Sequence, residues 1–164
     1  MTMTISLLTD VLLSNFPFAK AKIQGSPDYP KIHGEVNFYQ LSQGVVVAAD
    51  INGLPMGDGK CGCRVFAFHI HEGESCTGTK NEPLANTGGH YDPEGCPHPC
   101  HAGDMPPLFG NSGRAWLAFL TDRIKVEEIV GKTVVIHSAP DDFTTQPSGN
   151  SGSKIACGAI ERLA

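Results

Sequence analysis

Short apolar runs separated by turn-forming residues constrain this chain to an all-β fold. Val, Ile, Phe and Tyr alternate with polar residues, and turn chemistry such as Asn52-Gly53-Leu54-Pro55 closes the runs. The predicted strands are Ala19–Gln24, Ile32–Gln40, Val45–Ile51, Arg64–His71, Ala115–Leu120, Lys132–His137 and Ile155–Glu161. With 19 Gly and 12 Pro among 164 residues and only 18% charged residues, the pattern favours a sandwich or barrel over a helical bundle.

Two long segments interrupt this pattern. Apolar periodicity disappears from Glu72 to Arg114 and again from Ser138 to Lys154. Long irregular segments in a small domain are usually functional, so we predict that these two loops shape a site. Val126–Val130 is expected to form a short helical turn between the predicted strands Ala115–Leu120 and Lys132–His137.

Residues 1–18 are expected to be an N-terminal extension, and residues 19–164 a single domain. The extension is rich in Leu, but it lacks a basic segment and Asp10 interrupts its apolar stretch. We therefore predict a short amphipathic helix packed on the domain and a cytoplasmic location. The net charge of −5 argues against nucleic acid or an anionic membrane as partner, and no run approaches the about 20 apolar residues that span a bilayer.

Histidines carry the strongest functional signal. Five of the seven lie between Phe68 and Asp104, and a sixth, His137, lies in an apolar run. His69 and His71 are two residues apart on a predicted strand, so both rings lie on the same face and can chelate a metal ion. Phe68 and Ile70 would fill the opposite face, which places the metal outside the apolar interior and beneath the loops.

A second group follows along the chain. His98, His101 and Asp104 offer two imidazoles and a carboxylate, a set suited to tetrahedral zinc once a fourth ligand arrives. His90 lies between the groups and can supply that ligand, and a deprotonated imidazole has two coordinating nitrogens. The sequence therefore predicts a binuclear redox metal site with one shared ring.

Four motifs, in order, resemble the copper/zinc superoxide dismutase family over about Lys20 to Ile160. They are His69-Ile70-His71-Glu72-Gly73, Gly88-Gly89-His90-Tyr91-Asp92-Pro93, His101-Ala102-Gly103-Asp104-Met105 and Gly149-Asn150-Ser151-Gly152-Ser153-Lys154-Ile155-Ala156-Cys157-Gly158-Ala159-Ile160. The resemblance implies an eight-stranded Greek-key β-barrel, copper and zinc as cofactors, superoxide as substrate, and pairing into a homodimer in some members.

The resemblance also implies a role for each site residue. His69, His71, His90 and His137 would bind copper, and His90, His98, His101 and Asp104 would bind zinc. Asp141 would orient one ligand of each metal. Cys76 and Cys157 match the family's intrasubunit disulfide. Superoxide would first reduce and then reoxidise copper, with His90 taking up and delivering a proton.

The chain departs from the family at the position of the usual active-site arginine, where it has Lys154. Both side chains attract superoxide, but lysine lacks the planar guanidinium fork, so we expect Lys154 to be catalytic with reduced activity. A copper-binding or copper-delivery protein with weak dismutase activity is the alternative function.

The other departures concern the zinc segment and the remaining cysteines. His98 and His101 are closer together than the family usually has them, and Cys96 and Cys100 flank His98. These two thiols could form a disulfide in an oxidising compartment, stay free in the cytosol, or displace a histidine from zinc. Cys61 and Cys63 are expected to lie far from the site. Six cysteines would also fit a periplasmic or secreted location.

Overall fold

Nine antiparallel strands form the body of the protein in the computed structural model, which describes residues 5–14, 16–57 and 64–163. The strands are β1 Ala19–Gly25, β2 His33–Leu41, β3 Gly44–Asn52, β4 Arg64–Phe66, β5 Phe68–His71, β6 Leu108–Gly110, β7 Ala115–Thr121, β8 Thr133–His137 and β9 Lys154–Arg162. The helices are α1 Ile5–Ser14 and α2 Val126–Ile129, and Ala85–Thr87 forms a 3₁₀ turn. The all-β prediction and the helical turn near Val126 are confirmed.

Seven strands form one curled sheet in the order β5-β8-β9-β1-β2-β3-β7, and β4 pairs with β6 in a small second sheet. At one edge β7 lies beside β6, and β6 pairs with β4. Since β4 runs almost directly into β5 at the other edge, the two sheets together nearly close a barrel. This arrangement fits the predicted Greek-key barrel.

The predicted single strand Arg64–His71 is divided at Ala67. Before this residue the chain pairs with β6, and after it the chain pairs with β8. The N–H of Ala67 donates to the carbonyl of Ala139 at 2.8 Å, and the carbonyl of Ala67 accepts from the N–H of His137 at 2.9 Å. Counting β4 and β5 as one bent strand gives the predicted eight. The strand β6 was missed, because three residues within a long irregular segment give no periodicity.

The apolar core lies between the curled sheet and the small sheet. Phe38, Phe66, Phe68, Ile70 and Leu108 are all 0% exposed within it. Their neighbours on alternate positions face outward, as strand geometry requires. The core therefore leaves one face of β5 free for polar side chains.

The N-terminal helix α1 packs on the outside of the barrel. Val11 is 2% exposed and forms a separate apolar cluster with Tyr39 of β2 and Val46 of β3. The helix predicted within residues 1–18 is thus confirmed over Ile5–Ser14. Within the described ranges, no helix has the length and apolar character that crossing a membrane would require.

A disulfide joins Cys76, in the long segment after β5, to Cys157 on β9, with the two Cα atoms 5.7 Å apart. Cys157 is 2% exposed and packs with Leu84 and Val135. The bond closes a loop of 81 residues in sequence separation, so it restricts the unfolded chain strongly.

We predict that Cys76→Ser lowers the free energy of unfolding of the metal-free protein by about 2–4 kcal/mol, since a crosslink across a long loop is lost. Urea unfolding followed by circular dichroism measures the change. Cys100→Ser is the matched control, because Cys100 is a free, exposed thiol, and it should shift stability by no more than about 0.5 kcal/mol. Equal midpoints for the two variants would contradict a stabilising disulfide.

Candidate metal centre

Strand β5 presents two imidazoles on the face opposite the core. His69 is 0% exposed and His71 is 2% exposed, while Phe68 and Ile70 between and beside them belong to the apolar core. The predicted same-face arrangement of the His69–His71 pair is confirmed. The loops cover both rings, so the site is buried without being part of the apolar interior.

Two segments of the long loop continue the sheet along the free edge of β5. Backbone bridges pair His69 with Asp104 and His71 with His90. The backbone of Ile70 anchors both segments, with hydrogen bonds of 2.8 Å to each. This edge pairing brings side chains distant in sequence beside the β5 imidazoles.

The sixth imidazole comes from β8, the other neighbour of β5. A register irregularity between Ile136 and His137 places His137 opposite Lys154 of β9. The Nε2 atoms of His71 and His137 are 3.1 Å apart. Strand pairing therefore places Lys154, a cation at the entrance of the site, beside the buried imidazole of His137.

The structure gathers the predicted residues into two groups that share one ring. In each group the potential ligand atoms all lie within 4.8 Å of one another. The first group is His69, His71, His90 and His137, and the second is His90, His98, His101 and Asp104. The carboxylate of Asp104 contacts two rings of the second group. Its Oδ1 lies 2.7 Å from His90 Nδ1, and its Oδ2 lies 3.1 Å from His98 Nδ1.

Asp141, from the second long loop, contacts one ring of each group. Its carboxylate oxygens lie 2.7 Å from His69 Nε2 and 2.8 Å from His98 Nε2. A carboxylate accepts hydrogen bonds, so both Nε2 atoms carry the proton and both Nδ1 atoms are left free to face the centre.

Backbone carbonyls fix two further rings in the same way. Nδ1 of His71 donates to the carbonyl of Gly88 at 2.9 Å, and Nδ1 of His137 donates to the carbonyl of Gly152 at 3.4 Å. Their Nε2 atoms are therefore unprotonated and point into the first group.

Three buried ring nitrogens have no hydrogen-bond partner among the described residues: His69 Nδ1, His90 Nε2 and His98 Nδ1. An unsatisfied buried nitrogen is costly and needs an explanation. Each of the three belongs to a group whose potential ligand atoms lie within 4.8 Å of one another, close enough to share one metal ion. Neutral imidazole nitrogens in this arrangement fit a pair of metal ions such as copper and zinc.

Burial keeps three rings of the first group neutral, those of His69, His71 and His137. Desolvation, reinforced by the neighbouring imidazoles, lowers the pKa of His69 from 6.5 to about 2 and that of His71 well below 6.5. Desolvation likewise lowers the pKa of His137 to about 4. Burial would raise the pKa of Asp104, but the hydrogen bond from His90 and the surrounding imidazoles outweigh it and lower this pKa. Neutral imidazole and ionised carboxylate are the forms that coordinate metal ions.

Sequence reasoning missed three residues that hold the site. The side-chain amide of Gln146 pairs with the backbone N–H and carbonyl of His98 at 2.9 and 2.6 Å. Gly149, at φ +67°, leaves the space in which Asp141 meets His98, since a Cβ there would collide with both. Thr87 binds Lys154. Of these, only Gly149, within a quoted motif, had any signal in the sequence.

The cysteines near the second group are thiols. Cys96 and Cys100 are free, the first half-buried and the second exposed, and neither joins the two groups of candidate metal ligands. The structure thus corresponds to the thiol alternative for this pair. Cys61 and Cys63 lie outside the described residues.

Comparison with known proteins gives one consistent result. The family model described as copper/zinc superoxide dismutase matches residues 32–160. The superoxide dismutase [Cu-Zn] of Legionella pneumophila is 31% identical, covering 96% of this chain and 97% of the relative. The extracellular superoxide dismutase [Cu-Zn] of Rattus norvegicus is 32% identical, covering 80% of this chain and 55% of the relative. The solved Cu/Zn superoxide dismutase from Brucella abortus superposes with a TM-score of 0.72 at 27% identity, covering 87% of this chain and 99% of that one.

The lowered histidine pKa values predict an acid-sensitive metal-free protein. As pH falls from 6.5 to about 4, His69, His71 and His137 bind protons in the unfolded chain. In the folded protein their pKa values are lowered, so they stay unprotonated over most of this range. The free energy of unfolding should fall through this window by up to about 1.4 kcal/mol per pH unit for each ring. Urea midpoints at a series of pH values measure the slope. His33→Gln, on an exposed ring, is the control and should leave it unchanged; a flat profile in the unsubstituted protein would refute the prediction.

Proposed function

This chain belongs to the copper/zinc superoxide dismutase family, and we propose that its two histidine groups are the copper and zinc sites of that enzyme. The protein is a superoxide dismutase, which converts two superoxide ions and two protons into dioxygen and hydrogen peroxide. The observation that carries the site assignment is the ring of His90, which belongs to both groups.

Donor chemistry supports the division between the two metals. The first group offers four imidazoles, which suit copper. We assign copper to His69, His71, His90 and His137. The second group offers three imidazoles and a carboxylate, a good tetrahedral zinc set. We assign zinc to His90, His98, His101 and Asp104.

Bound copper supplies the one-electron oxidation and reduction that dismutation requires, and bound zinc supplies a fixed positive charge. The protein's contribution is to hold His90 between the two sites. Its Nδ1 is 2.7 Å from Asp104 Oδ1, while its Nε2 is buried and has no hydrogen-bond partner among the described residues. We propose that His90 Nε2 holds the proton that is delivered to the departing peroxide.

Lys154 supplies the positive charge at the entrance. It is half-buried opposite His137, and its ammonium lies against the loop that carries His90. A cation there attracts anionic superoxide by local field focusing despite the net charge of −5. Because lysine is not a planar fork, we propose that activity is lower than an arginine would give.

Location and assembly are proposed more broadly. The Cys76–Cys157 disulfide and a relative named as extracellular fit a compartment outside the cytosol, so the cytoplasmic prediction is not confirmed. We propose residues 19–164 as the dismutase domain, which includes the matched range 32–160, with residues 1–18 as an extension.

A homodimer stays a prediction. Phe109 of β6 is 71% exposed and Trp116 of β7 is 61% exposed, and both side chains offer apolar contact surface.

Asp141→Asn should weaken both metal sites together. The amide keeps one acceptor oxygen and turns an NH2 donor toward the other ring, so one ring tautomer loses its support directly. The second metal site is weakened through the ring of His90, which belongs to both groups, and outer contacts of this kind typically change metal affinity by about 10–100-fold. Chelator competition followed by metal analysis measures both affinities. Asp142→Asn is the matched control, because Asp142 caps Thr144 and Thr145 and does not touch either group. A loss confined to one metal would refute the joint role of Asp141.

The copper- and zinc-loaded protein should dismutate superoxide far faster than free copper, and Lys154→Arg should raise the rate about two- to tenfold, since a fork of donors docks an anion better. Pulse radiolysis at fixed ionic strength measures both rates. Tight copper binding without catalysis beyond the free ion would favour the copper-delivery alternative, which the comparisons do not favour.

A further inference from the structure

The ammonium of Lys154 is held by two acceptors. Its Nζ donates to Thr87 Oγ1 at 2.7 Å and to the carbonyl of Gly88 at 2.8 Å. Thr87 is 0% exposed, and its own hydroxyl hydrogen goes to the carbonyl of Leu84 at 2.9 Å. The direction of the Thr87 hydroxyl is therefore set by the backbone, with a lone pair left for the ammonium.

The second acceptor links Lys154 to the candidate copper site. The carbonyl of Gly88 also accepts from Nδ1 of His71 at 2.9 Å. One carbonyl oxygen thus fixes the tautomer of an imidazole and the position of the guiding cation at the same time. Two of the three ammonium N–H groups are occupied, and the third remains for an anion.

A carboxylate competes for the same ammonium. Glu82 lines a cavity of about 360 Å³ together with Lys154 and Ser153. Burial lowers the pKa of Lys154, whereas attraction to Glu82 raises it. Within the part of the chain that the structure describes, no ion pair joins the two. Charge attraction to Glu82 therefore does not set the position of the ammonium. Hydrogen bonds to Thr87 and to the carbonyl of Gly88 hold it there, and Thr87 is the one of the two that acts through its side chain.

We propose that Thr87 is a positioning residue for Lys154, holding its ammonium beside the candidate copper site and away from Glu82. This inference rests on the proposed dismutase function of the site. Lysine has a flexible stem with a point charge at its end, so its usefulness as a guide depends on where neighbours hold it. Without the Thr87 hydroxyl, the ammonium turns toward Glu82 and the positive field at the entrance is neutralised.

A double-mutant cycle tests the proposal on the copper- and zinc-loaded protein. Thr87→Val should lower kcat/KM about three- to tenfold, the loss that corresponds to the typical net contribution of one hydrogen bond. Lys154→Met should lower it at least as much, and the double variant should be no slower than Lys154→Met alone. Thr87→Ser keeps the hydroxyl and should restore the rate.

A purely structural role for Thr87 gives a different pattern. Loss of packing or of the Leu84 bond would lower the rate by the same factor with Lys154 or Met at position 154, and additivity of that kind would overturn the proposal. A Lys154→Met variant as fast as the unsubstituted protein would also overturn it.

NMR of the metal-free protein provides a readout that does not depend on activity. The ¹H–¹⁵N signal of the Lys154 ammonium should be protected from exchange, lost in Thr87→Val and kept in Thr87→Ser. Equal protection in all three would overturn the proposal. If the loaded protein does not dismutate superoxide, the proposed function fails, whereas the NMR comparison still decides whether Thr87 holds Lys154.

Discussion

The buried carboxylate of Asp141 is the contact on which the geometry of the centre depends. It reaches His69 on strand β5 and His98 in the loop, so it joins a rigid element to an irregular one. A carboxylate that is 2% exposed is stable only with partners, and the two rings are those partners. The carboxylate in turn fixes the tautomer of each ring by accepting a hydrogen bond from its Nε2. The loops are therefore ordered by polar contacts to the site as well as by apolar packing.

The loop segments gain a second source of order from the edge of β5. Pairing of His71 with His90 and of His69 with Asp104 makes short pieces of loop behave as additional strands. Candidate ligands far apart in sequence are then spaced by sheet geometry, which is more precise than free loop conformation. The Cys76–Cys157 bond fixes the same region to β9 on its other side.

The strands and the two groups of candidate metal ligands were predictable because their signals are local. Alternation in Val45–Ile51 locates β3 within one residue at each end, and the spacing of His69 and His71 fixes their shared face. The turn at Ala67 and strand β6 were not predictable, since both depend on partners that are distant in sequence. Gln146 and Thr87 are ordinary polar loop residues whose roles arise only from folding. The family resemblance supplied Asp141, for which no periodicity gives a signal.

The ring of residue 90 has a thermodynamic consequence for metal uptake. With His90 as a ligand of both metals, as proposed, an occupant of one group would orient a ligand of the other, and the two binding equilibria would share a coupling free energy. Thermodynamic linkage then makes the coupling reciprocal: the factor by which bound zinc changes the affinity for copper equals the factor by which bound copper changes the affinity for zinc. A favourable coupling would make the centre fill as a cooperative pair and would deplete its half-loaded forms relative to two independent sites.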